Sequence, residues 1–329
     1  MAKVAPEEKV GRRLRFRDLQ VFFAVVQSGS MAKAASKLGL TQPAVSDIVA
    51  GLEQMFGVRL FDRNPRGVVA TIYGQALLKR GRAAFDELRQ GIKDIDFLSD
   101  PSAGELKIGC PASVMGGSLS LAVEYFSRKY PRVVLQFDEV TSPGSDFPSL
   151  RERTHDLVVA RIARPLADEE DLDVEILFQD PLLIAASVNS PWARRRRIDP
   201  AELVDEPWIL TASDASVYVS VAEAFRARGI AVPKVSIVAL SGLLRMFLVS
   251  RGPFVTAIPR SLLEFNTVKL SLKILPVDLH IPGYPVAVLT LKNRVLNPLA
   301  GLFIEHVREV ARSIAATDGR TNSRGAAPS

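Results

Sequence analysis

The chain has 329 residues, of which 47% are hydrophobic and 24% charged; this composition is typical of soluble globular proteins, and the length indicates two or three domains. Because it contains neither a run of about 20 apolar residues nor a recognisable secretory signal, a membrane span and export are not expected. Its one cysteine, Cys110, excludes an internal disulfide, which favours a cytoplasmic location.

The charge is unevenly distributed. Residues 1–100 carry 16 Lys/Arg and 11 Asp/Glu, whereas the remaining residues carry 26 and 25. A basic N-terminal part on a nearly neutral body favours a module that binds a polyanion such as DNA. A merely solvated basic surface is the alternative interpretation.

Three consecutive segments after residue 15 place apolar residues at three- and four-residue steps, which predicts three helices. Gly39 fits the end of the second helix, and Thr41 followed by Pro43 fits the start of the third. Two short helices joined by a tight turn form a helix-turn-helix, whose second helix can enter the major groove of DNA.

Two short strand-like runs, at 58–61 and 68–71, flank the turn residues of NPRG and predict a hairpin wing. Residues 16–70 are therefore predicted to form a mainly helical winged helix-turn-helix domain, preceded by a flexible arm at 1–15.

Residues 71–98 contain no proline, and their apolar residues again recur at three- and four-residue steps. A helix of this length is roughly 40 Å long. Its apolar stripe is expected to pair with a second copy of the chain, giving a dimer. The polar segment SDPSAG, at 99–104, predicts a domain boundary.

Beyond this boundary strands alternate with helices, which predicts parallel α/β units. A strand at 180–187 is among the predicted elements, and the chain is predicted to end in a disordered tail at 313–329.

The segment SMAKAASKLGLTQPAVSDIVAGLEQMFGVRLFDRNPRGVVATIYG resembles the LysR-type transcriptional regulators in residue type and order. The paired Ala34 and Ala35, the string TQPAVS, and Leu52 with Glu53 carry much of that resemblance. A weaker similarity continues through ELKIGC, YFSRKYPRVVLQF, HDLVVARI and GPFVTAIPRSLL, and so covers nearly the whole chain.

This resemblance implies a C-terminal effector domain at 104–312, built as two α/β lobes around a ligand cleft and similar to periplasmic solute-binding proteins. Lobe one would comprise 104–163 and 283–312, lobe two 164–282, with a hinge near residues 163 and 282.

The resemblance also implies a sequence-specific DNA-binding regulator controlled by a small-molecule effector, without a resident cofactor. An organic anion is one candidate effector class. The expected partners are double-stranded promoter DNA with a pseudo-palindromic site, further copies of the chain as a homodimer through the long helix and a homotetramer, and RNA polymerase; no membrane partner is expected.

The predicted DNA contacts lie on the exposed face of the third helix and in the wing. Polar side chains on that face can pair with base edges, and wing arginines can enter the minor groove or hold phosphate. Asp47 departs from the family, in which a basic or amide side chain is frequent. Cap or plain surface roles are the alternative. The residues are Lys33, Thr41, Gln42, Pro43, Ser46, Asp47, Arg63 and Arg66.

The predicted effector contacts follow strand ends, where ligands of two-lobed α/β folds bind. Ser113 is expected to cap a helix and present its hydroxyl to a carboxylate. Each residue has an ordinary cap or turn role as the alternative, and for Arg161 the alternative is a hinge salt bridge. The residues are Ser113, Thr141, Ser142, Arg161, Thr211 and Ser213.

An enzyme would need a nucleophile with its base, a metal cluster or a phosphate loop, and none of these motifs is present among the residues. A solute-binding protein and a ligand-binding enzyme on the same fold are the competing classes. The basic winged-helix module discriminates against both, since neither needs a DNA-reading face.

Overall fold

The computed structural model describes residues 14–64, 67–140, 147–162, 169–213, 215–264, 271–277, 279–281 and 283–325. It divides into two compact units, Met1–Arg89 and Gln90–Ser329, which are called the head and the effector unit below. In this part of the chain, no helix combines the length and apolar character needed to cross a membrane.

The head contains three short helices, an antiparallel hairpin and the first part of a long helix. Phe22, Val45 and Val49 are fully buried at its centre, where the apolar stripes of the three helices meet. Gly39 ends the second helix with φ of 64°, a left-handed conformation in which a Cβ would be strained. The elements are α1 (Phe16–Ser28), α2 (Met31–Leu38), α3 (Gln42–Phe56), β1 (Phe61–Asn64), β2 (Gly67–Ala70) and α4 (Ile72–Ser99).

The long helix α4 contributes its first half to the head. Leu77 and Leu78 pack against the head core, and the Phe85 ring makes edge contacts with Phe16 and Phe23 at centroid distances of 5.1 and 5.4 Å. The head therefore extends past the predicted boundary at residue 70. The sequence pattern could not show this, because one apolar stripe serves both the head core and the part of the helix beyond it.

Lobe one is built on a five-stranded sheet in the order β4-β3-β5-β12-β6. Strands β3, β4 and β5 are parallel, while β12 runs antiparallel between β5 and β6. Its elements are β3 (Ala103–Cys110), α5 (Ala112–Val114), a π-helical turn (Met115–Leu119), α6 (Ser120–Lys129), β4 (Arg132–Glu139), α7 (Pro148–Arg151), β5 (Leu157–Arg161), β6 (Leu172–Asp180), β12 (Tyr284–Leu291) and α11 (Pro298–Gly325).

Lobe two holds a second five-stranded sheet in the order β11-β7-β10-β8-β9. Strands β8, β9 and β10 are parallel, and β7 lies antiparallel to β10. Trp208, Leu210 and Phe225 are fully buried in its core. The elements are β7 (Leu182–Ser187), β8 (Trp208–Leu210), α8 (Ser216–Ala227), β9 (Val235–Val238), α9 (Gly242–Arg251), β10 (Val255–Pro259), α10 (Arg260–Glu264) and β11 (Leu272–Ile274), with short 3-10 turns between β7 and β8.

The first crossing between the lobes lies at Asp180–Pro181, so the predicted crossing near residue 163 is wrong. Strand β6 pairs with β12 in the sheet of lobe one, and β7 begins two residues later in the sheet of lobe two. The predicted strand at 180–187 therefore combines the last residue of β6 with β7, because periodicity does not show with which sheet a residue pairs. The return crossing lies between Ile281, which is buried in lobe two, and Tyr284, at the predicted position.

The last helix, α11, also extends the ordered domain beyond the predicted end at residue 312. Ile314 is buried in the core of lobe one, and the helix runs to Gly325. A disordered tail beginning at 313 is therefore wrong for this segment. Residues 313–318 contain neither glycine nor proline, and the first glycine after residue 312 is Gly319. The helix therefore meets no helix-breaking residue at the predicted boundary.

Candidate nucleic-acid interface and effector site

The second helix of the helix-turn-helix, α3, begins at a defined N-cap. The hydroxyl oxygen of Thr41 accepts a hydrogen bond from the Ala44 backbone N–H at 3.4 Å, and Pro43 lies in the first turn, where its missing N–H costs nothing. Thr41, Gln42 and Pro43 are exposed, as is Asp47, while Ser46 is half-buried. The predicted base-reading side chains thus occupy the solvent-facing side of this helix.

The wing is attached to α3 by Glu53, which the sequence indicated only as part of the family pattern. The Glu53 side chain accepts hydrogen bonds from the backbone N–H groups of Leu60 and Phe61 at 2.7 and 3.1 Å. Thr71 donates to the Arg59 carbonyl oxygen at 2.7 Å. These bonds hold the hairpin beside α3, the helix that carries the predicted base-reading residues. We therefore expect the wing and α3 to move together.

All but one of the predicted phosphate contacts lie among the residues that the structure describes. Arg63 is exposed on β1, and Lys33 is exposed on α2, where its backbone N–H is bonded to the Ser30 side chain at 3.4 Å. Arg59 is also exposed. Arg66 lies outside the described residues. The exposed cations of the head accord with a surface that meets a polyanion.

In the effector unit, Arg161 lies at the lobe crossing and is bonded to groups from both lobes. Its Nε donates to Asp180 Oδ2 at 2.9 Å, Nη1 donates to Ser113 Oγ at 2.8 Å, and Nη2 donates to Ser261 Oγ at 3.1 Å. Nη2 also pairs with Asp180. Arg161 therefore forms the hinge salt bridge that is its alternative predicted role; contact with an effector stays a prediction.

Asp180 completes this hinge cluster of Arg161, Asp180, Ser113 and Ser261. It is 1% exposed, and it accepts hydrogen bonds from the backbone N–H and the hydroxyl of Ser261 at 2.9 and 2.7 Å. A buried carboxylate needs such donors and a counter-charge to offset its lost hydration. No sequence pattern indicated Asp180 or Ser261, which are separated by 81 residues.

The other predicted effector residues differ in their burial and in their hydrogen-bond partners. Ser113 does not cap a helix: the N-cap of α5 is Pro111, which makes no side-chain cap bond, and the Ser113 hydroxyl accepts from Arg161 instead. Thr211 is buried and its hydroxyl oxygen accepts from the Tyr218 N–H at 3.2 Å, whereas Ser213 is exposed. Thr141 and Ser142 lie outside the described residues.

A second buried charge in the effector unit joins the end of α4 to lobe one. Asp156 is 4% exposed and accepts hydrogen bonds from Lys93 at 3.1 Å, from the Lys107 backbone N–H at 3.0 Å and from Arg294 at 3.3 Å. Arg294 also donates to the His155 carbonyl oxygen at 2.7 Å. No sequence motif predicted this cluster of cations around one carboxylate.

Cys110 is fully buried at the end of β3. Burial raises the pKa of its thiol far above the ordinary value, with a smaller lowering influence from Arg161. Because the thiolate is the reactive form, the side chain behaves as a small apolar residue, in agreement with its interpretation from the sequence.

Comparison with known proteins gives matches to both units. The model described as "Bacterial regulatory helix-turn-helix protein, lysR family" matches residues 16–75, and the one described as "LysR substrate binding domain" matches residues 99–312. The regulator TdcA of Escherichia coli K12 is 27% identical over 88% of this chain and 91% of its own length. GbpR of Azospirillum brasilense is 27% identical over 87% of this chain and 83% of its own.

Solved structures share the fold. A single-residue variant of full-length OxyR from Pseudomonas aeruginosa covers 91% of this chain and 95% of its own, with a TM-score of 0.64 at 21% identity. CbnR, described as a LysR family transcriptional regulator, covers 91% and 99%, with a TM-score of 0.62 at 21% identity.

A winged helix-turn-helix followed by a two-lobed α/β domain defines a DNA-binding transcription regulator with an effector-binding domain, a class without catalytic function. The chain belongs to the LysR family of transcriptional regulators.

Proposed function

We propose that this LysR-type regulator reads a pseudo-palindromic promoter site as a homodimer or homotetramer, and that a small organic anion bound between its lobes changes the spacing of its heads. The observation that supports self-association is an uncovered apolar stripe on α4. Leu88, Ile92, Ile95 and Leu98 are 52, 61, 65 and 80% exposed, at steps of three and four residues that place them on one helix face.

An apolar stripe of this kind is stabilised by packing against the same stripe of a second helix. Two heads joined in this way would meet two half-sites of opposite orientation, so the symmetry of the protein would be matched by that of the DNA. Light scattering of the full-length protein should give the mass of a dimer or tetramer. A monomer at micromolar concentration would contradict this part of the proposal.

For DNA recognition, Gln42 is proposed to pair with a base edge, and Arg63 to contact the phosphate backbone. Pro43, Ser46 and Asp47 share the exposed face with Gln42, and Lys33 and Thr41 add phosphate contacts. RNA polymerase is a further proposed partner, as expected of a promoter-bound regulator.

Fluorescence anisotropy tests this arrangement with DNA from upstream of the regulator's own gene and a scrambled duplex at physiological salt. The own-gene duplex is expected to bind at least about 1,000-fold tighter. Gln42→Ala should lose affinity for that duplex by roughly 10-fold and leave scrambled DNA unchanged, because base contacts carry the specificity. Arg63→Ala should weaken binding to both duplexes.

Two matched controls are available in the chain. Gln54 is exposed near the opposite end of α3, and Arg128 is 76% exposed on α6 of the effector unit. Gln54→Ala and Arg128→Ala should leave both affinities unchanged. If Gln42→Ala weakens both duplexes equally, Gln42 does not read a base.

A further inference from the structure

One edge of lobe two collects the carboxyl ends of three parallel strands. Strands β8, β9 and β10 end there, and α9 begins at Gly242, four residues after the end of β9. The Ser241 hydroxyl caps the helix by accepting from the Leu244 N–H at 3.3 Å. Among the described residues, none accepts a hydrogen bond from the backbone N–H groups of Gly242 and Leu243.

Arg245 lies in the first turns of this helix and is 4% exposed. Its Nε and Nη1 are buried and have no hydrogen-bond partner among the described residues. Its Nη2 is 4.0 Å from the position that a Cβ on Gly242 would occupy. The guanidinium therefore points back along α9 towards its N-terminal turn, as helical side chains generally do.

Two other arginines of the effector unit, one half-buried and one buried, have partners. Arg161 is paired with Asp180, and Arg294 with Asp156 and a carbonyl oxygen. Burial lowers the pKa of Arg245, and no charged neighbour contributes to this shift. An unpaired buried charge is costly, and the partial positive charge of a helix N-terminus adds to the cost.

We propose that Arg245 and the first turn of α9 form an anion site that binds a carboxylate of the effector. The guanidinium offers parallel N–H donors that match the two oxygens of a carboxylate, and the N–H groups of Gly242 and Leu243 offer further donors. This inference rests on the proposed function, and it adds to that function a ligand class and an anchoring residue.

The surroundings favour an organic over an inorganic anion. Leu240 and Leu243 flank the Ser241–Gly242 pair in sequence and are 75 and 74% exposed, so an apolar group attached to the carboxylate would find apolar surface beside the anion site. Among the six effector contacts proposed from the sequence, Arg161 alone carries a charge, and Asp180 already neutralises it. Among the described residues no carboxylate pairs with Arg245, so its guanidinium can supply the positive charge that an anionic ligand requires.

Thermal unfolding of the full-length protein tests the site with three probes: sodium benzoate, sodium succinate and sodium sulfate, each against sodium chloride at equal ionic strength in a low-chloride Tris buffer. At least one carboxylate is expected to raise the Tm of the wild type by roughly 3 °C or more at saturation, with sulfate giving a smaller rise. Isothermal titration calorimetry measures the affinity of the same probes directly.

Arg245→Met keeps most of the side-chain volume and removes the charge. This variant should lose the carboxylate-dependent rise, and in the anion-poor buffer it should melt at the wild-type temperature or above it, because an unpaired buried charge has been removed. The matched control is Arg251→Met, at the other end of α9, where the guanidinium lies over the Phe247 ring; it should retain the full rise.

Equal carboxylate-dependent rises in the wild type and Arg245→Met would overturn the proposal, and so would the absence of any rise beyond that given by sodium chloride. If Arg245→Met does not fold, Arg245→Lys decides: a loss of affinity of 10-fold or more supports the site, since an ammonium cannot form the paired bonds, and an unchanged affinity overturns it.

Anisotropy with promoter DNA separates this inference from the proposed function. A carboxylate that requires Arg245 for binding but leaves DNA affinity unchanged would support the anion site and contradict its role as an effector site. A carboxylate that changes DNA affinity equally in the wild type and Arg245→Met would support control by an effector and overturn the assignment to Arg245.

Discussion

Asp156 and Arg245 are both buried charges of the effector unit, and they differ in what surrounds them. Asp156 is met by a lysine, an arginine and a backbone N–H, whereas Arg245 has two buried nitrogens without a partner among the described residues. The paired charge is explained by the fold alone. For Arg245 no partner is present among the described residues, and we assign this charge to a ligand, so the comparison contrasts structural with functional burial of charge.

The largest expected effect comes from removing the paired carboxylate. Asp156→Ala should lower the free energy of unfolding by about 3–5 kcal/mol, because it leaves Arg294 as a buried charge whose carboxylate is gone. Urea unfolding of the full-length protein measures this loss. Glu105→Ala, which breaks the exposed pair with Lys107, is the control and should change stability by less than about 1 kcal/mol. If Asp156→Ala is as stable as this control, the partners of Asp156 do not stabilise the fold, and its contrast with Arg245 no longer holds.

A smaller loss is expected at the hinge cluster. Arg161→Met should lower the free energy of unfolding by about 2–3 kcal/mol, since Asp180 would lose its counter-charge but keep two hydrogen bonds from Ser261. Urea unfolding followed by Trp fluorescence reports on lobe two, because Trp192 and Trp208 both lie there. Arg195→Met, at a pair whose side chains are 50 and 37% exposed, is the matched arginine control. A loss no greater than that of the control would show that Arg161 does not stabilise the lobe crossing.

The smallest effect is expected at a charge pair in contact with water. Arg308 bonds both oxygens of Glu175 at 2.6 and 2.7 Å, and these hydrogen bonds lower the pKa of Glu175 below its ordinary value of 4.5. Both side chains are more than 40% exposed, so Glu175→Gln should cost less than about 1 kcal/mol at pH 7.

The pH dependence of this small effect has a defined sign. Because the folded-state pKa of Glu175 is lowered, the stabilisation is present above the unfolded value of 4.5 and is lost as the pH falls through the folded value. Urea midpoints of the wild type and Glu175→Gln should therefore differ at pH 7 and converge as the pH falls through the lowered folded-state pKa of Glu175. A difference that grows towards acid pH would contradict this assignment.

The head could be predicted from the sequence almost element by element, because its signals are local. Gly39 ends a helix, Thr41 and Pro43 begin the next one, and the exposed face of α3 follows from helical periodicity. The exception is Glu53, whose bonds to the backbone of β1 and the residue before it depend on how the hairpin folds back. Its position beside Leu52 in the family pattern was the available signal.

The effector unit was predicted as a class of fold, with errors wherever a contact spans a long stretch of sequence. The residues that form β6 were assigned to lobe two, whereas they pair with β12 in lobe one, because a strand pattern is the same whichever sheet the strand joins. Ser113 was expected to cap a helix, and it accepts from Arg161 across 48 residues instead. Arg245 lies within an apolar helical pattern and gave no sequence signal of its own.

Local chemistry and order along the chain were thus sufficient to determine the family, the winged helix-turn-helix, the long helix and the alternating α/β pattern, since helix periods, caps and turns act over a few residues. Only the tertiary structure decided where the chain crosses between lobes and which buried charges have partners. Those properties depend on residues that are distant in the sequence and adjacent in space.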